Sequence, residues 1–275
     1  MAAVNIINSD TLKCIICYYS GSGNTKLACQ YIAGNIKNTE FKLFNIAKEG
    51  TPDLDSYDIA GFACFTDFIE PPYLFRAFLD KLKRQTGKPA FVFNTYGFIS
   101  GKTRITLDKW VTAKGFIVLA GHSLHTPESY PPMIAGGRGN EQAPNEKELK
   151  EFNRFISGLE ESFNLLRNSK KVRVKMRITD ILVGMLPVFS RTRSKKEMGI
   201  KYVDAELCKK CHTCEKLCPY KAIKLDPKPV FDMTRCYGCW SCYNHCPNKA
   251  IYTRKYRGIG QYPKPTEQLR NKLKL

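Results

Sequence analysis

No apolar run in this chain approaches the roughly 20 residues needed to span a bilayer, so no transmembrane segment is expected. The first ten residues, Met1 to Asp10, lack a basic region, a long apolar stretch and the arginines of a transit peptide. A cytoplasmic, reducing and oxygen-poor setting is the resulting expectation. Two nucleotide fingerprints are also missing. A nucleoside-triphosphate loop reads G-x-x-x-x-G-K-[ST], and that pattern does not occur. The dinucleotide pattern G-x-G-x-x-G fails as well, because Gly21-Ser22-Gly23 is followed by Lys26 at the last position. No motif therefore encodes direct oxidation of a nicotinamide.

Acidic residues are scarce, 25 Asp+Glu against 44 Lys+Arg for a net charge of +19, and the shortage is local. Residues 1–165 hold 18 basic and 17 acidic side chains, 166–201 hold 11 and 2, and 202–275 hold 15 and 6. A neutral front joined to a basic back implies two domains with different partners. The expected division is 1–165, a basic linker at 166–200, and 201–275. The positive field should draw acidic protein surfaces. Nucleic acid ranks lower, since no nucleic-acid motif accompanies the charge.

Cysteine is the abundant signal. Cys208-x2-Cys211-x2-Cys214-x3-Cys218-Pro219 recurs 28 residues later as Cys236-x2-Cys239-x2-Cys242-x3-Cys246-Pro247, and Lys221-Ala222-Ile223 recurs as Lys249-Ala250-Ile251. This internal duplication has the spacing that holds two 4Fe–4S clusters, with the fourth cysteine of each run crossing to the other cluster. One ligand set is Cys208, Cys211, Cys214 and Cys246, and the other is Cys236, Cys239, Cys242 and Cys218. Zinc would use paired knuckles separated by a longer loop. Disulfides would need an oxidising compartment. From about Lys201 to Lys255 the chain resembles the bacterial-type two-cluster ferredoxins. It departs from them at His212, where that family often has glycine, and at Lys209, Lys210 and Trp240, which are bulky for ligand loops.

The front half reads as buried strands alternating with amphipathic helices. Strands fit Leu12–Tyr19, Phe41–Ile46, Ile59–Phe65, Pro89–Asn94 and Gly115–Ala120. Helices fit Lys26–Lys37, Tyr73–Lys83, Thr103–Ala113 and Asn145–Leu166. Such a pattern predicts an α/β parallel sheet covered on both faces. Between the first strand and helix lie Ser20-Gly21-Ser22-Gly23-Asn24-Thr25, small and hydroxyl residues that leave room for a phosphate monoester at a helix N-terminus. A plain helix-capping turn is the alternative for this loop. The loop resembles the S/T-x-S/T-G-N-T phosphate loop of flavodoxins, over about residues 12–165. That resemblance implies a five-stranded doubly wound sheet of order 2-1-3-4-5 with FMN outside the carboxyl ends of the strands. Two further loops should then flank the flavin ring, at Thr66-Asp67-Phe68 and at Asn94-Thr95-Tyr96-Gly97.

The other features have quieter readings. Cys14 and Cys17 form C-x-x-C, but their odd offset on a strand sends them to opposite faces. With Cys29 and Cys64 they read as buried small hydrophobes. His122 and His125 are expected in a loop after strand five, as polar residues or as a proton source near a flavin. Residues 170–196 alternate basic flanks with an apolar centre broken by Gly184 and Pro187, suiting an interdomain segment or peripheral contact with an anionic membrane. The tail Arg257–Leu275 is expected to wrap the cysteine-bearing part.

Taken whole, the order resembles flavodoxin–ferredoxin fusion proteins of anaerobes. It implies an electron carrier joining two 4Fe–4S clusters and FMN, exchanging electrons with an acidic ferredoxin-type protein. An FMN-dependent reductase of a quinone or nitro compound is the second reading. A redox-sensing protein that binds nucleic acid or a membrane surface is the third.

Overall fold

The computed structural model describes residues 11–168, 170, 195, 196 and 198–275. The suggested membrane contact at 170–196, like most of the linker expected at 166–200, lies outside the described residues.

The five strands of the front half are β1 (Leu12–Tyr18), β2 (Thr39–Asn45), β3 (Ile59–Phe65), β4 (Lys88–Tyr96) and β5 (Phe116–His125). All pair in parallel, in the order β2-β1-β3-β4-β5. The fold is thus a flavodoxin-like doubly wound sheet. Its helices are α1 (Asn24–Gly34), α2 (Tyr73–Lys81), α3 (Thr103–Ala113), α4 (Pro131–Ala135) and α5 (Glu146–Arg167). The central strands are buried on both faces, which is why they read as continuous apolar runs. On one face Cys14 and Ile16 pack with Cys29 and Ile32 of α1 and Phe152 and Phe163 of α5. On the other, Ile15 and Cys17 meet Phe75 of α2 and Leu107 of α3. Cys14 and Cys17 therefore do face opposite ways. At the edge, β2 alternates instead, exposing Glu40 and Lys42. The long helix α5 begins with a capping box, Asn145 and Glu148 each accepting the other's backbone N–H at 2.9 and 2.8 Å.

Two strands run further than their apolar residues suggest. The ladder β4–β5 continues through Asn94–Ser123, Thr95–Leu124 and Tyr96–His125. His122 and His125 consequently lie on β5 and not in a loop after it. Strand pairing uses the backbone, so polar side chains at the strand ends do not stop it.

The cysteine-bearing part is a small α+β module. It comprises β6 (Lys201–Val203), α6 (Thr213–Lys216), β7 (Ile223–Leu225), β8 (Pro229–Phe231), α7 (Ser241–Asn244) and β9 (Ile251–Thr253), with sheets β6–β9 and β7–β8. The duplication is visible in the backbone. Lys210 and Gly238 (φ 53° and 77°), His212 and Trp240 (60° and 61°), and Lys221 and Lys249 (48° and 53°) are pairs of left-handed residues, each 28 apart. His212 and Trp240 thus hold a conformation that glycine adopts more easily.

The start of the tail does lie on the cysteine module, with Ile259 O and Gln261 bonded to Tyr243 and Tyr262 N–H to Asn244, but its end departs from expectation. Its helix α8 (Glu267–Lys272), capped by Thr266 accepting the Leu269 N–H at 3.2 Å, places Leu269 and Leu273 in the same core as β1, α1 and α5. Two leucines four residues apart share one helix face, and that face covers the sheet domain. Leu269→Ala should cost the sheet domain about 2–5 kcal/mol, read as a lower urea midpoint. An unchanged midpoint would place the tail elsewhere. Burial raises the thiol pKa of Cys14, Cys17, Cys29 and Cys64, so all four should resist iodoacetamide until denaturant is added, as mapped by peptide mass spectrometry.

Candidate cofactor sites

The strand order reverses between β2-β1 and β3, and loops from the carboxyl ends of β1, β3, β4 and β5 meet at that switch point. In the first loop Ser20 Oγ accepts N–H bonds from Gly23 (3.1 Å) and Lys26 (3.3 Å), folding the chain into a tight cup. Gly23 has φ 102°, and a Cβ there would lie 2.8 Å from Pro265 Cδ. Asn24 is buried and engaged at both ends. Its Nδ2 donates to Pro127 O (3.0 Å) and Thr126 Oγ1 (3.4 Å), and its Oδ1 accepts from Tyr262 Oη (2.9 Å). Thr25 Oγ1 lies 2.8 Å from Thr95 Oγ1. What this leaves facing a ligand is the first turn of α1, whose backbone N–H groups have no partners within the helix.

Asn94 is the hub of the neighbouring loops. Fully buried, it donates from Nδ2 to Thr66 Oγ1 (3.0 Å) and Ser100 Oγ (3.3 Å), and its Oδ1 accepts from Ser123 Oγ (2.7 Å). Thr66 N–H in turn donates to Thr95 O at 2.7 Å. Asp67 and Glu70 exchange backbone bonds of 2.8 and 3.3 Å across a turn in which Phe68 and Ile69 are left-handed (φ 52° and 66°). The Phe68 ring meets Tyr130 edge-on at 5.6 Å. Gly97 O accepts from His125 Nε2 (2.7 Å), while His125 Nδ1 sits 2.9 Å from Glu148 and its ring stacks on Tyr96 at 5.0 Å. His122 is stacked among Phe93, Phe152 and Phe155. Both histidines are thus held by structural contacts.

One carboxylate had no signal in the sequence. Burial pushes the Glu128 carboxyl pKa up, while N–H bonds from Tyr130 (3.0 Å) and Ser129 (2.8 Å) pull it down. It lies against Gly97, where a Cβ would come within 2.5 Å of its carboxyl group.

The eight repeated cysteines line two cavities. One is bordered by Cys208, Cys211, Cys214 and Cys246. The other is bordered by Cys218, Cys236, Cys239 and Cys242. Each combines three thiols of one run with the fourth of the other. Four thiols around one cavity are the donor set that an iron–sulfur cluster takes. Among the described residues all twelve cysteines are free, and no three Cys, His, Asp or Glu side chains converge on a single-ion site. The crossing cysteines also accept matching backbone bonds, Ala222 N–H to Cys218 Sγ at 3.3 Å and Ala250 N–H to Cys246 Sγ at 3.2 Å.

The cavities differ in surroundings. Cys211 is exposed beside exposed Lys209, Lys210 and Lys216, and its contact with Thr213 draws the thiol pKa down. Burial pushes Cys214 up to about 11. The second cavity faces the sheet. Its wall residue Tyr237 stacks on Tyr220 at 4.5 Å and accepts the Tyr73 N–H at 3.3 Å. Trp240 meets Tyr130 edge-on at 6.0 Å, and Asn244 Nδ2 donates to Ser129 O at 2.9 Å. Tyr19, at the end of β1, has its hydroxyl pKa raised by burial and then by neighbouring Cys239 and Asp67. The second cavity therefore lies against the loops at the switch point, with the first on its outer side.

Residues 203–257 match the LdpA Fe-S cluster-binding domain family. No curated protein matches the chain. Among solved structures, a flavodoxin from the domain Archaea is 20% identical, with 56% of this chain and 99% of that one covered and a TM-score of 0.43. Flavodoxin 1 from Bacillus cereus is also 20% identical, covering 53% and 95% with a TM-score of 0.41. Rubredoxin oxygen:oxidoreductase from the anaerobe Desulfovibrio gigas is 14% identical, covering 58% and 37% with a TM-score of 0.45. The fold class itself rests on the strand order and register. The chain thus joins a flavodoxin-like sheet to a module that is similar, over residues 203–257, to the Fe-S cluster-binding family.

Asn94→Ala should destabilise the sheet domain by about 1–3 kcal/mol, because Thr66, Ser100 and Ser123 lose a shared buried partner. Thermal unfolding of the purified variant measures this, and an unchanged midpoint would show that the hub carries no stability.

Proposed function

We propose that this protein is an electron-transfer iron–sulfur flavoprotein, with two 4Fe–4S clusters and one FMN on a single chain. The observation that carries the reading is the partition of eight thiols into two mixed cavities, one of them set against the carboxyl ends of a flavodoxin-like sheet. When bound, the clusters supply one-electron transfer at low potential and the flavin supplies a centre able to take one or two electrons.

The thiolates of Cys208, Cys211, Cys214 and Cys246 hold the outer cluster, and those of Cys236, Cys239, Cys242 and Cys218 hold the inner one. Deprotonation on binding releases protons, most demandingly at Cys242, whose thiol burial raises further than that of Cys214. The Ser20–Thr25 loop receives the FMN phosphate. Ser20 shapes the cup, and backbone N–H groups of Ser22, Asn24 and Thr25 with the α1 dipole face the anion. Gly21 allows close approach, while Gly23 supplies the left-handed turn and room for Pro265. Thr66, Asp67 and Phe68 border one side of the flavin ring, and Thr95, Tyr96 and Gly97 the other. Asn94 fixes both loops.

Exposed Lys209 and Lys210 line the outer cavity, and Lys216, Lys224 and Lys228 are exposed on the same module, so an acidic redox protein, of the ferredoxin kind, docks there. Such encounter should slow steeply with added salt. Exposed Phe98 and Ile99 beside the β4 loop are compatible with a small acceptor such as a quinone reaching the flavin, the second reading.

Anaerobic purification should give brown protein with about eight irons and one FMN per chain. Cys218→Ser should perturb the EPR signal of the cluster held by the second run, despite lying in the first. Colourless or zinc-loaded protein overturns the reading, and loss confined to the first run's cluster overturns the crossed ligand assignment. Saturable turnover with a quinone, with none through an acidic protein, would favour the second reading.

A further inference from the structure

The two cavities are repeats of one another, and beyond their difference in exposure a buried lysine lines only one of them. Position by position, 28 residues separate β6 from β8, β7 from β9, Cys208 from Cys236 and Asp204 from Asp232. The correspondence extends to hydrogen bonds: Asp204 O accepts the Cys208 N–H at 3.1 Å, and Asp232 O accepts the Cys236 N–H at 2.9 Å. At the first residue of β8 the outer cavity is lined by Pro229. At the equivalent first residue of β6 the inner cavity is lined by Lys201.

Lys201 is only 5% exposed. Its Nζ lies 2.8 Å from Cys236 Sγ, 3.6 Å from Met233 Sδ and 3.9 Å from Met198 Sδ, and 5.4 Å from the Phe231 ring centroid. An ammonium so far out of water needs negative charge close by. Thioethers and a ring face supply little, and among the described residues no carboxylate pairs with it. The partner of the right sign is the Cys236 sulfur as a thiolate carrying a cluster. Proline at the equivalent site has no charge and no N–H.

We infer that Lys201 sets the order of the two clusters in energy, holding the inner one at the higher potential so that the first electron to enter comes to rest beside the flavin site. This inference rests on the two-cluster reading above. The reasoning is electrostatic. Reduction adds one negative charge to a cluster, and a buried cation at a ligand sulfur stabilises that added charge more than it stabilises the oxidised form. Net charge and hydrogen bonds to sulfur are among the factors that fix such potentials. In the step itself a one-electron donor, dithionite in the test or an acidic redox protein in the proposed function, loses one electron and the inner cluster gains it. No atom or proton moves. Without the lysine the two sites would differ mainly in exposure, and electrons would divide more evenly between them.

The test is an EPR-monitored potentiometric titration of the anaerobically purified full chain, with iron counted per chain in each sample. The native protein should reduce in two separate one-electron steps. Lys201→Met keeps the length and removes the charge, and should move only the higher step downward, shifting the partition between clusters at least tenfold, about 59 mV for one electron. Lys201→Arg keeps the charge and should leave both steps near their native positions. Should Lys201→Met fail to hold its iron, Pro229→Lys decides: an ammonium in the outer cavity should raise the lower step toward the higher one. Native iron well below eight per chain would remove the two-cluster reading, and this inference with it. Full iron with both steps unmoved in Lys201→Met or Pro229→Lys, or movement of the lower step in Lys201→Met, would overturn the role of Lys201 alone.

Discussion

The exchange of the fourth cysteine between the two runs is the constraint from which the rest of the back half follows. Because Cys218 borders the cavity of the second run and Cys246 that of the first, neither repeat closes its own site. The two sites are therefore completed together. That crossing also explains the economy of the module. Its strands are three residues long and its helices α6 and α7 a single turn, too little to bury a core of ordinary size. The apolar cluster that does form has Cys214 and Cys242 among its members with Trp240, Tyr243, Ile223 and Ile251. Groups bound between the thiols would therefore supply cohesion that the chain alone lacks.

A module held that way must also be held in one place relative to the sheet, since electron hopping depends on distance. The fastening is distributed. Asn244 bonds to the loop residue Ser129, Tyr237 to Tyr73 at the start of α2, and Trp240 rests on Tyr130. The chain then passes back across the first loop, where Tyr262 bonds to Asn24 and Pro265 covers Gly23, and ends with Leu269 and Leu273 in the sheet's own core. The same residues that shape the loop after β1 are thus tied to the segment leaving the cysteine module. Displacing one unit would disturb the other.

The sequence made the sheet legible because strands buried on both faces have no choice but to be apolar throughout, as in β1 and β3. It made the thiol sets legible because ligand spacing is a covalent property of the chain. What it hid were features that depend on single side chains meeting across the fold. The polar end of β5, Gly121 to His125, reads as a loop although its backbone pairs with β4. The tail helix has two buried leucines in a basic, proline-containing stretch, which gives no amphipathic pattern long enough to read. Glu128 carries no motif at all. Lys201 did leave a trace: setting the repeats against each other aligns it with Pro229, a mismatch visible only when the duplication is extended upstream of the first cysteine.

That mismatch bears on why a duplicated module is kept asymmetric. Two equal sites would share an electron without preference, and the basic, exposed surroundings of Cys211 would then be as good a resting place as the interior. Exposure to water and lysines already favours reduction at the outer site to some degree, since both stabilise added negative charge. A surface ammonium is screened by solvent and salt, however, whereas one held 2.8 Å from a sulfur at 5% exposure is not. The buried charge accordingly outweighs the several exposed ones. The surface lysines govern which protein approaches, and the buried lysine governs where its electron stays.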